Sequence, residues 1–210
     1  MNTEKRDFNK DAALWDENPA RVKMAQDVAH AISEQIMLTS EMDVLDFGCG
    51  TGLLTMLIQP MVHSITGIDN SQGMLDVFNS KVTKLNLENA KSLLVDLDKG
   101  DKLTGNYDLV ISNMTLHHIT DIGSLFSQFY KVIKPGGFLS LSDLDLEKGN
   151  FHKDNTGVFH HGFSREDLKK TFENAGFENI TDTTAAEITK PISDGKMKTF
   201  TVFLVTGQKI

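Results

Sequence analysis

The sequence has little cysteine, no long apolar run and no surplus of positive charge. One cysteine in 210 residues excludes a disulfide within the chain, and a single thiol suits a reducing compartment. No apolar run approaches the roughly 20 residues that span a bilayer. The formal net charge of −8 argues against general affinity for nucleic-acid backbones or anionic membranes. Residues 1–7 are polar and lack the apolar stretch of a signal peptide, so we expect a cytoplasmic protein.

Short apolar segments alternate with amphipathic segments along most of the chain. Pro19 opens a helical pattern that runs to residue 38, and residues 8–15 predict a short helix or a mobile arm. The pattern predicts strands at 43–47, 64–68, 92–95, 107–112, 138–144, 179–188 and 198–206, helices at 53–58, 74–85, 122–133 and 164–175, and a turn at 134–137.

This alternation predicts an α/β fold with a doubly wound, mostly parallel seven-stranded sheet and helices on both faces. The last two strands are joined by a short turn region instead of a helix. Such a connection favours an antiparallel pair, so we expect the last strand to be antiparallel.

A glycine-rich loop follows the first strand, within residues 44–52. Gly48, Gly50 and Gly52 alternate there, and glycines let a backbone turn sharply and approach a ligand closely. The following helix offers free N–H groups at its start. A dinucleotide fingerprint would need a glycine at position 53, where this chain has Leu53. Cys49 is either a reactive thiol or, as we favour, a small residue that fits the loop.

The pattern D-x-G-x-G-x-G, which begins at Asp46, resembles the first motif of class I S-adenosylmethionine-dependent methyltransferases. Residues 107–113 and 134–137 resemble later motifs of that family, so the resemblance covers about residues 43–144. It implies S-adenosyl-L-methionine as cofactor and methyl donor. It also implies that the loop residues Asp46, Gly48, Cys49, Gly50 and Gly52 hold the methionine part of the cofactor.

Two acids follow the next strands. Asp69 ends the second predicted strand, where a carboxylate offers paired acceptors to ribose hydroxyls, while Asn70 or Ser71 could cap the next helix. In the resembled family an acid at Asp96 accepts from the adenine amino group, and the next residue, Leu97, packs on the ring. Asp98 is a close competitor. We also expect cofactor contacts from Asn70, Met74 and Asn113.

Methyl transfer needs an aligned nucleophile and, for protonated acceptors, a base. His117 and His160 are the candidates, although each could serve only packing. We expect no metal. A polar cluster offers an alternative site, either a substrate pocket that contains an acid-base pair or a metal site with O and N ligands. The same cluster could also be only a polar loop with scattered histidines. The cluster consists of Asp143, Asp145, Glu147, His152, His160 and His161.

The sequence therefore predicts methyl transfer to a small-molecule acceptor, with no nucleic-acid or membrane partner, by a monomer or homodimer. A non-catalytic cofactor-binding protein and an NAD-linked oxidoreductase are the alternatives. We expect one domain over residues 1–210. It would comprise an N-terminal helical lid (1–40), a cofactor-binding half (41–145) and a substrate-side loop with the C-terminal strands (146–210).

Overall fold

The computed structural model describes residues 6–193 and 195–210, so the first five residues of the predicted lid lie outside the described part. The helices are α1 Pro19–Gln35, α2 Leu53–Ile58, α3 Gln72–Lys84, α4 Ile122–Val132 and α5 Arg165–Ala175. The strands are β1 Asp43–Phe47, β2 Ser64–Asp69, β3 Ala90–Leu94, β4 Tyr107–Asn113, β5 Ile133–Leu144, β6 Phe177–Pro191 and β7 Met197–Lys209. Two short 3-10 turns, Phe8–Lys10 and Ala12–Glu17, precede α1.

The strands form one seven-stranded sheet in the order β3-β2-β1-β4-β5-β7-β6. Strands β1 to β5 are parallel, and β7 runs antiparallel to both of its neighbours. The predicted fold class is therefore confirmed. The order reverses between β1 and β4, and the carboxyl ends of strands at such a point leave a crevice for a ligand.

Both faces of the sheet are covered, which explains the continuous apolar runs of the central strands. Successive side chains of a strand point to opposite faces. Val44 belongs to the core under α1 and α2, whereas the adjacent Leu45 belongs to the core under α4 and α5. Leu109 and Val110 divide in the same way. Each face thus has its own apolar core.

The turn predicted at residues 134–137 is wrong as a boundary, because these residues lie inside β5. Tyr107 pairs with Ile133, but Leu109 pairs with Phe138, so the extra residues form a bulge. Gly136 takes a positive φ of 81° there. The glycines and proline of this segment mark an irregular strand instead of a chain reversal.

Other element boundaries shift by a few residues. Helix α1 ends at Gln35 and not at residue 38, and β6 begins at Phe177 with a register shift before Thr181. The helix after β2 begins at Gln72, and Ser71 accepts from the backbone N–H of Met74 as its cap. Within the described chain, no helix is long and apolar enough to cross a membrane.

Candidate functional site

The glycine loop joins β1 to α2 at the carboxyl edge of the sheet. Its backbone N–H groups at Gly48 and Cys49 donate to the Ile68 carbonyl, at 2.8 and 3.0 Å, which ties the loop to β2. Gly48 has φ +69°, and a Cβ there would lie 2.3 Å from Thr115. Gly50 also has a positive φ, but a Cβ there would meet nothing within 4 Å. Gly48 is required by the protein's own packing, while Gly50 leaves space beside the loop.

Two carboxylates, Asp46 and Asp69, form hydrogen bonds that hold the glycine loop and the start of the following helix. Thr55 donates its hydroxyl to buried Asp46 at 2.5 Å, and burial raises the pKa of Asp46 to about 7. Asp69 accepts from the backbone N–H of Gly50 and of Ser71, each at 2.9 Å. Burial raises the pKa of Asp69 above its usual value, against these hydrogen bonds. Each carboxylate oxygen has a further lone pair, so Asp69 holds the loop and retains acceptor capacity for a ligand.

A cavity of about 1260 Å³ opens at this edge. Ordinary ligand pockets occupy roughly 300–1,000 Å³, so this cavity has room for more than one small ligand. It brings together most of the residues predicted from the sequence. Those on its wall are Asp46, Gly48, Cys49, Gly50, Asp69, Asn70, Met74, Leu97, Asn113 and His117.

Two predicted cofactor residues do not lie on this wall. Gly52 is the N-cap of α2, and a Cβ there would approach the Phe78 ring to 2.7 Å, so close packing and not a ligand requires this glycine. Asp96 accepts from the backbone N–H of Asp98 at 3.1 Å and pairs with Lys99 at 3.2 Å. The chain turns directly after β3, so the Asp96 carboxylate folds back as a cap, and Asp98 lines the cavity instead.

The structure also removes the second base candidate from the cavity. His160 lies in the loop between β5 and α5, and its Nε2 is 2.9 Å from the carbonyl oxygen of Ile119. Its ring packs against Phe163. Sequence spacing could not reveal this orientation, because Ile119 lies 41 residues away.

Cys49 is buried, and burial raises the pKa of its thiol well above the usual value. A Cβ on Gly67 would lie 2.8 Å from the Cys49 sulfur, so β2 passes directly behind the side chain. These contacts support the interpretation of Cys49 as a small packing residue over that of a reactive thiol.

His117 forms a buried pair with Asp143 at the end of β5. The His117 Nδ1 lies 2.7 Å from the Asp143 carboxylate, and both side chains are almost fully buried. Burial acts to raise the pKa of Asp143, but the charge and hydrogen bond of His117 outweigh it and lower the pKa. The ionised carboxylate only accepts, so Nδ1 donates. This hydrogen bond fixes the tautomer of His117 in which the lone pair of the uncharged ring lies on Nε2.

Two further histidine rings pack against this pair. The ring of His118 is 4.1 Å and that of His152 is 5.0 Å from the ring of His117. His118 Nδ1 donates to the Gly157 carbonyl at 2.6 Å. Burial, reinforced by His117, lowers the pKa of His118 to about 4 and that of His152 to about 3. Both rings are neutral at physiological pH, and both line the cavity.

The remaining acids of the predicted cluster point elsewhere. Arg165 binds Asp145 with two hydrogen bonds of 2.7 and 2.6 Å. Glu147 accepts from the backbone N–H of Asn150 at 2.7 Å. In the part of the chain that the structure describes, no three histidine, cysteine or acidic side chains are arranged to hold a metal ion. The alternating acids thus serve different partners, and only Asp143 joins a histidine.

Residues 6–17, the N-terminal arm, contact the loop in a way that sequence reasoning missed. Asp16 accepts from the Thr51 hydroxyl at 2.6 Å and pairs with Lys81 of α3, whose amino group also donates to the Thr51 carbonyl. Asn9 accepts from the backbone N–H of Gly73 at 2.7 Å. These partners lie 30 or more residues apart, so no local pattern could have indicated them.

The chain has relatives by sequence and by fold. The family described as "Methyltransferase domain" matches residues 20–182. Uncharacterized methyltransferase C1347.09 of Schizosaccharomyces pombe is 38% identical over 155 residues, which cover 67% of this chain and 55% of that protein. Malonyl-[acyl-carrier protein] O-methyltransferase of Priestia megaterium is 32% identical over 143 residues, 66% of this chain and 50% of that protein. The crystal structure of YcgJ from Bacillus subtilis superposes with a TM-score of 0.71 at 15% identity, covering 87% of this chain and 97% of that one.

The sheet order, the reversed β7 and the glycine loop define the class I methyltransferase fold. The chain belongs to the methyltransferase domain family, whose class I members use S-adenosylmethionine as the methyl donor. The family and the cofactor predicted from the loop are thus confirmed, and the NAD-linked alternative is not favoured. The chain spans about half the length of these two curated relatives.

Proposed function

We propose that this protein transfers a methyl group from S-adenosylmethionine to a small-molecule acceptor, with His117 as general base. The observation that carries the proposal is one shared cavity. The glycine loop and Asp69 line one part of it, and the buried pair of His117 and Asp143 supplies a base to the same space. When bound, the cofactor supplies a methyl group on a positively charged sulfur.

The proposed donor side uses residues from the ends of β1, β2 and β4. Asp69 accepts from the ribose hydroxyls with the lone pairs that Gly50 and Ser71 leave open. Asp46 faces the amino end of the methionine part, and Gly50 leaves space for it. The other cofactor contacts that we propose come from Gly48, Cys49, Asn70, Met74, Leu97 and Asn113. The adenine role predicted for Asp96 has no supporting contact, and Asp98 is the better placed acid.

On the proposed acceptor side, a histidine serves as the base, and no metal ion takes part. Asp143 holds the Nδ1–H of His117, so the ring is oriented with its Nε2 lone pair available to take a proton. A small acceptor fits a cavity whose walls are the N-terminal arm and the loop after β5. The N-terminal arm covers the site and excludes water from the transfer.

The test measures formation of S-adenosylhomocysteine across a panel of oxygen, sulfur, carbon and amine acceptors. With any acceptor that turns over, we expect His117→Gln and Asp143→Asn to lower kcat by about 100-fold or more, the usual scale of general base catalysis. Affinity for S-adenosylhomocysteine should stay unchanged, which shows that the variants fold.

His160→Gln is the matched control, because His160 lies in the same region but off the cavity wall. We expect it to keep nearly full activity. Wild-type activity in His117→Gln would refute the assignment of the base. Binding of S-adenosylhomocysteine without turnover of any acceptor would favour the non-catalytic alternative.

A further inference from the structure

We propose that the acceptor carries an anionic group, a carboxylate or a phosphate, which Arg21 and Lys190 bind on the wall of the cavity. This inference rests on the proposed function and names the class of its acceptor. The chain carries a net charge of −8, and the cavity wall is mixed: it holds seven aspartates and five cationic side chains, namely Arg6, Lys10, Arg21, Lys153 and Lys190. Arg6 and Lys10 pair with Asp11 and Asp7, whereas Arg21 and Lys190 have no carboxylate partner in the described chain and can attract an anion.

Arg21 lies where a helix disfavours a cation. It is the third residue of α1, and the positive end of the helix dipole repels positive charge there. Its guanidinium packs 3.7 Å from the centre of the Trp15 ring and donates to the Trp15 carbonyl at 3.3 Å. Burial and the charge of Arg6 lower the pKa of Arg21, and these two causes outweigh the opposing charges of Asp11 and Asp16. The helix end and the guanidinium thus add their positive potential at one place.

Lys190 approaches from the other side, at the end of β6. Its ammonium lies 3.4 Å from the centre of the Phe151 ring and donates to the Phe151 carbonyl. Burial lowers the pKa of Lys190. The positive charges of Lys153 and Arg21 lower it further, whereas the negative charge of Glu147 raises it. Over residues 6–193 and 195–210, neither Lys190 nor Arg21 forms an ion pair with a carboxylate. Arg6 differs, because Asp11 pairs with it at 2.6 Å.

The surroundings fit an anion attached to an apolar body. His152 lies beside Phe151, and its buried Nε2 has no hydrogen-bond partner in the described chain. An unpaired buried polar atom costs stability, so a ligand that pairs with it is favoured. Apolar side chains complete this part of the wall, namely Phe8, Trp15, Met24, Phe151 and Ile188.

The experiment titrates three probes of similar shape into the protein by calorimetry, with and without saturating S-adenosylhomocysteine. The probes are 3-phenylpropionate, 2-phenylethyl phosphate and neutral 3-phenylpropanamide. We expect at least one anion to bind about tenfold or more tightly than the amide, since charge-assisted hydrogen bonds are the stronger ones. The stronger of the two anions identifies carboxylate or phosphate as the natural group.

Arg21→Met and Lys190→Met should each remove most of this preference while affinity for S-adenosylhomocysteine stays at the wild-type level. Lys23→Met is the matched control, because Lys23 lies on α1 but pairs with Asp27 outside the cavity. It should keep the preference. Lys190→Met also covers the case in which Arg21→Met disturbs the Trp15 contact.

Equal affinity for the acid and the amide, or no binding of any probe, would overturn the inference. An anion preference that survives in both variants would overturn the assignment to Arg21 and Lys190. If the wild-type protein does not bind S-adenosylhomocysteine, that result counts against the proposed function instead. The probes are also titrated without S-adenosylhomocysteine, so the anion preference is tested separately.

Discussion

The proposed donor and acceptor sides of the cavity are built in different ways. The donor side comes from short segments that directly follow consecutive strands, with Gly48 and Gly50 after β1 and Asp69 at the end of β2. The acceptor side combines Arg21 of α1, His117 after β4, Asp143 of β5 and Lys190 of β6. Local sequence is enough to recognise the first side, whereas the second becomes visible only in the assembled sheet.

This difference explains why the donor side is readable as a motif. A backbone loop that approaches a ligand needs glycine at set positions, and a strand end places its acid at a set distance along the chain. On the acceptor side, any chain segment that reaches the cavity can supply a cation or a histidine. The donor side therefore identifies the family, and the acceptor side carries what is particular to this protein.

The largest effect should come from filling the donor side. We expect Gly50→Val to abolish detectable binding of S-adenosylhomocysteine, because its side chain would enter the open space beside the loop. Gly136→Val is the control, since Gly136 also has a positive φ and open space around its Cβ but lies in the β5 bulge. Calorimetry should show normal binding for the control. Equal loss in both variants would mean that backbone strain, and not crowding of a ligand, causes the defect.

A smaller but still large effect should follow from removing the ribose acceptor. Asp69→Ala deletes the proposed ribose contacts and the partner of the Gly50 N–H. We expect affinity for S-adenosylhomocysteine to fall about 100-fold, because hydrogen bonds to charged groups contribute about 1.5–3 kcal/mol each. Asp76→Ala, on the exposed side of α3, should bind normally. Unchanged affinity in Asp69→Ala would remove Asp69 from the donor site.

The smallest effect should be on the pH dependence of the free energy of unfolding, to which His118 contributes. The folded-state pKa of His118 is about 4, below the ordinary 6.5, so the unfolded chain takes up a proton first as the pH falls. Its contribution to stability is therefore complete above pH 6.5 and is lost between pH 6.5 and about 4. The slope is at most about 1.4 kcal/mol per pH unit for one proton.

Asp46 opposes this trend, because its raised pKa makes the folded state hold a proton up to about pH 7. We therefore compare the free energy of unfolding of the wild type with that of a variant that keeps Asp46, so that the contribution of Asp46 cancels. Denaturant unfolding at several pH values should show the wild type losing stability relative to His118→Asn as the pH falls. His30→Asn, at an exposed site on α1, should track the wild type. Parallel curves for wild type and His118→Asn would contradict the burial of a neutral His118.

Site residues could be predicted from the sequence where they directly follow a strand within a short motif, and not where they are brought together from distant segments. Asp46, Gly48, Gly50 and Asp69 line the cavity as their positions along the chain suggested. Gly52 was predicted to contact the cofactor but lies off the cavity wall, where a helix cap packed on Phe78 also requires glycine. Local sequence cannot separate those two reasons for the same residue.

The choice between neighbouring acids and histidines needed coordinates. Asp96 and Asp98 differ by two positions, and only the turn after β3 decides which one faces the cavity. His117 is hydrogen-bonded to Asp143, 26 residues away in the chain, whereas Asp145 is hydrogen-bonded to Arg165. A row of alternating acids predicts a shared face, but the partners on that face come from other segments.

By itself, the sequence determined the alternation of strands and helices, the glycine loop and thereby the family, because backbone geometry acts over a few residues. The tertiary structure alone decided the pairing of His117 with Asp143, the contact of the N-terminal arm with Thr51 and the presence of both Arg21 and Lys190 on the cavity wall. These features join segments that are distant in the chain. Burial and charge at such junctions depend on how the whole sheet and its helices pack, so they arise only in the folded molecule.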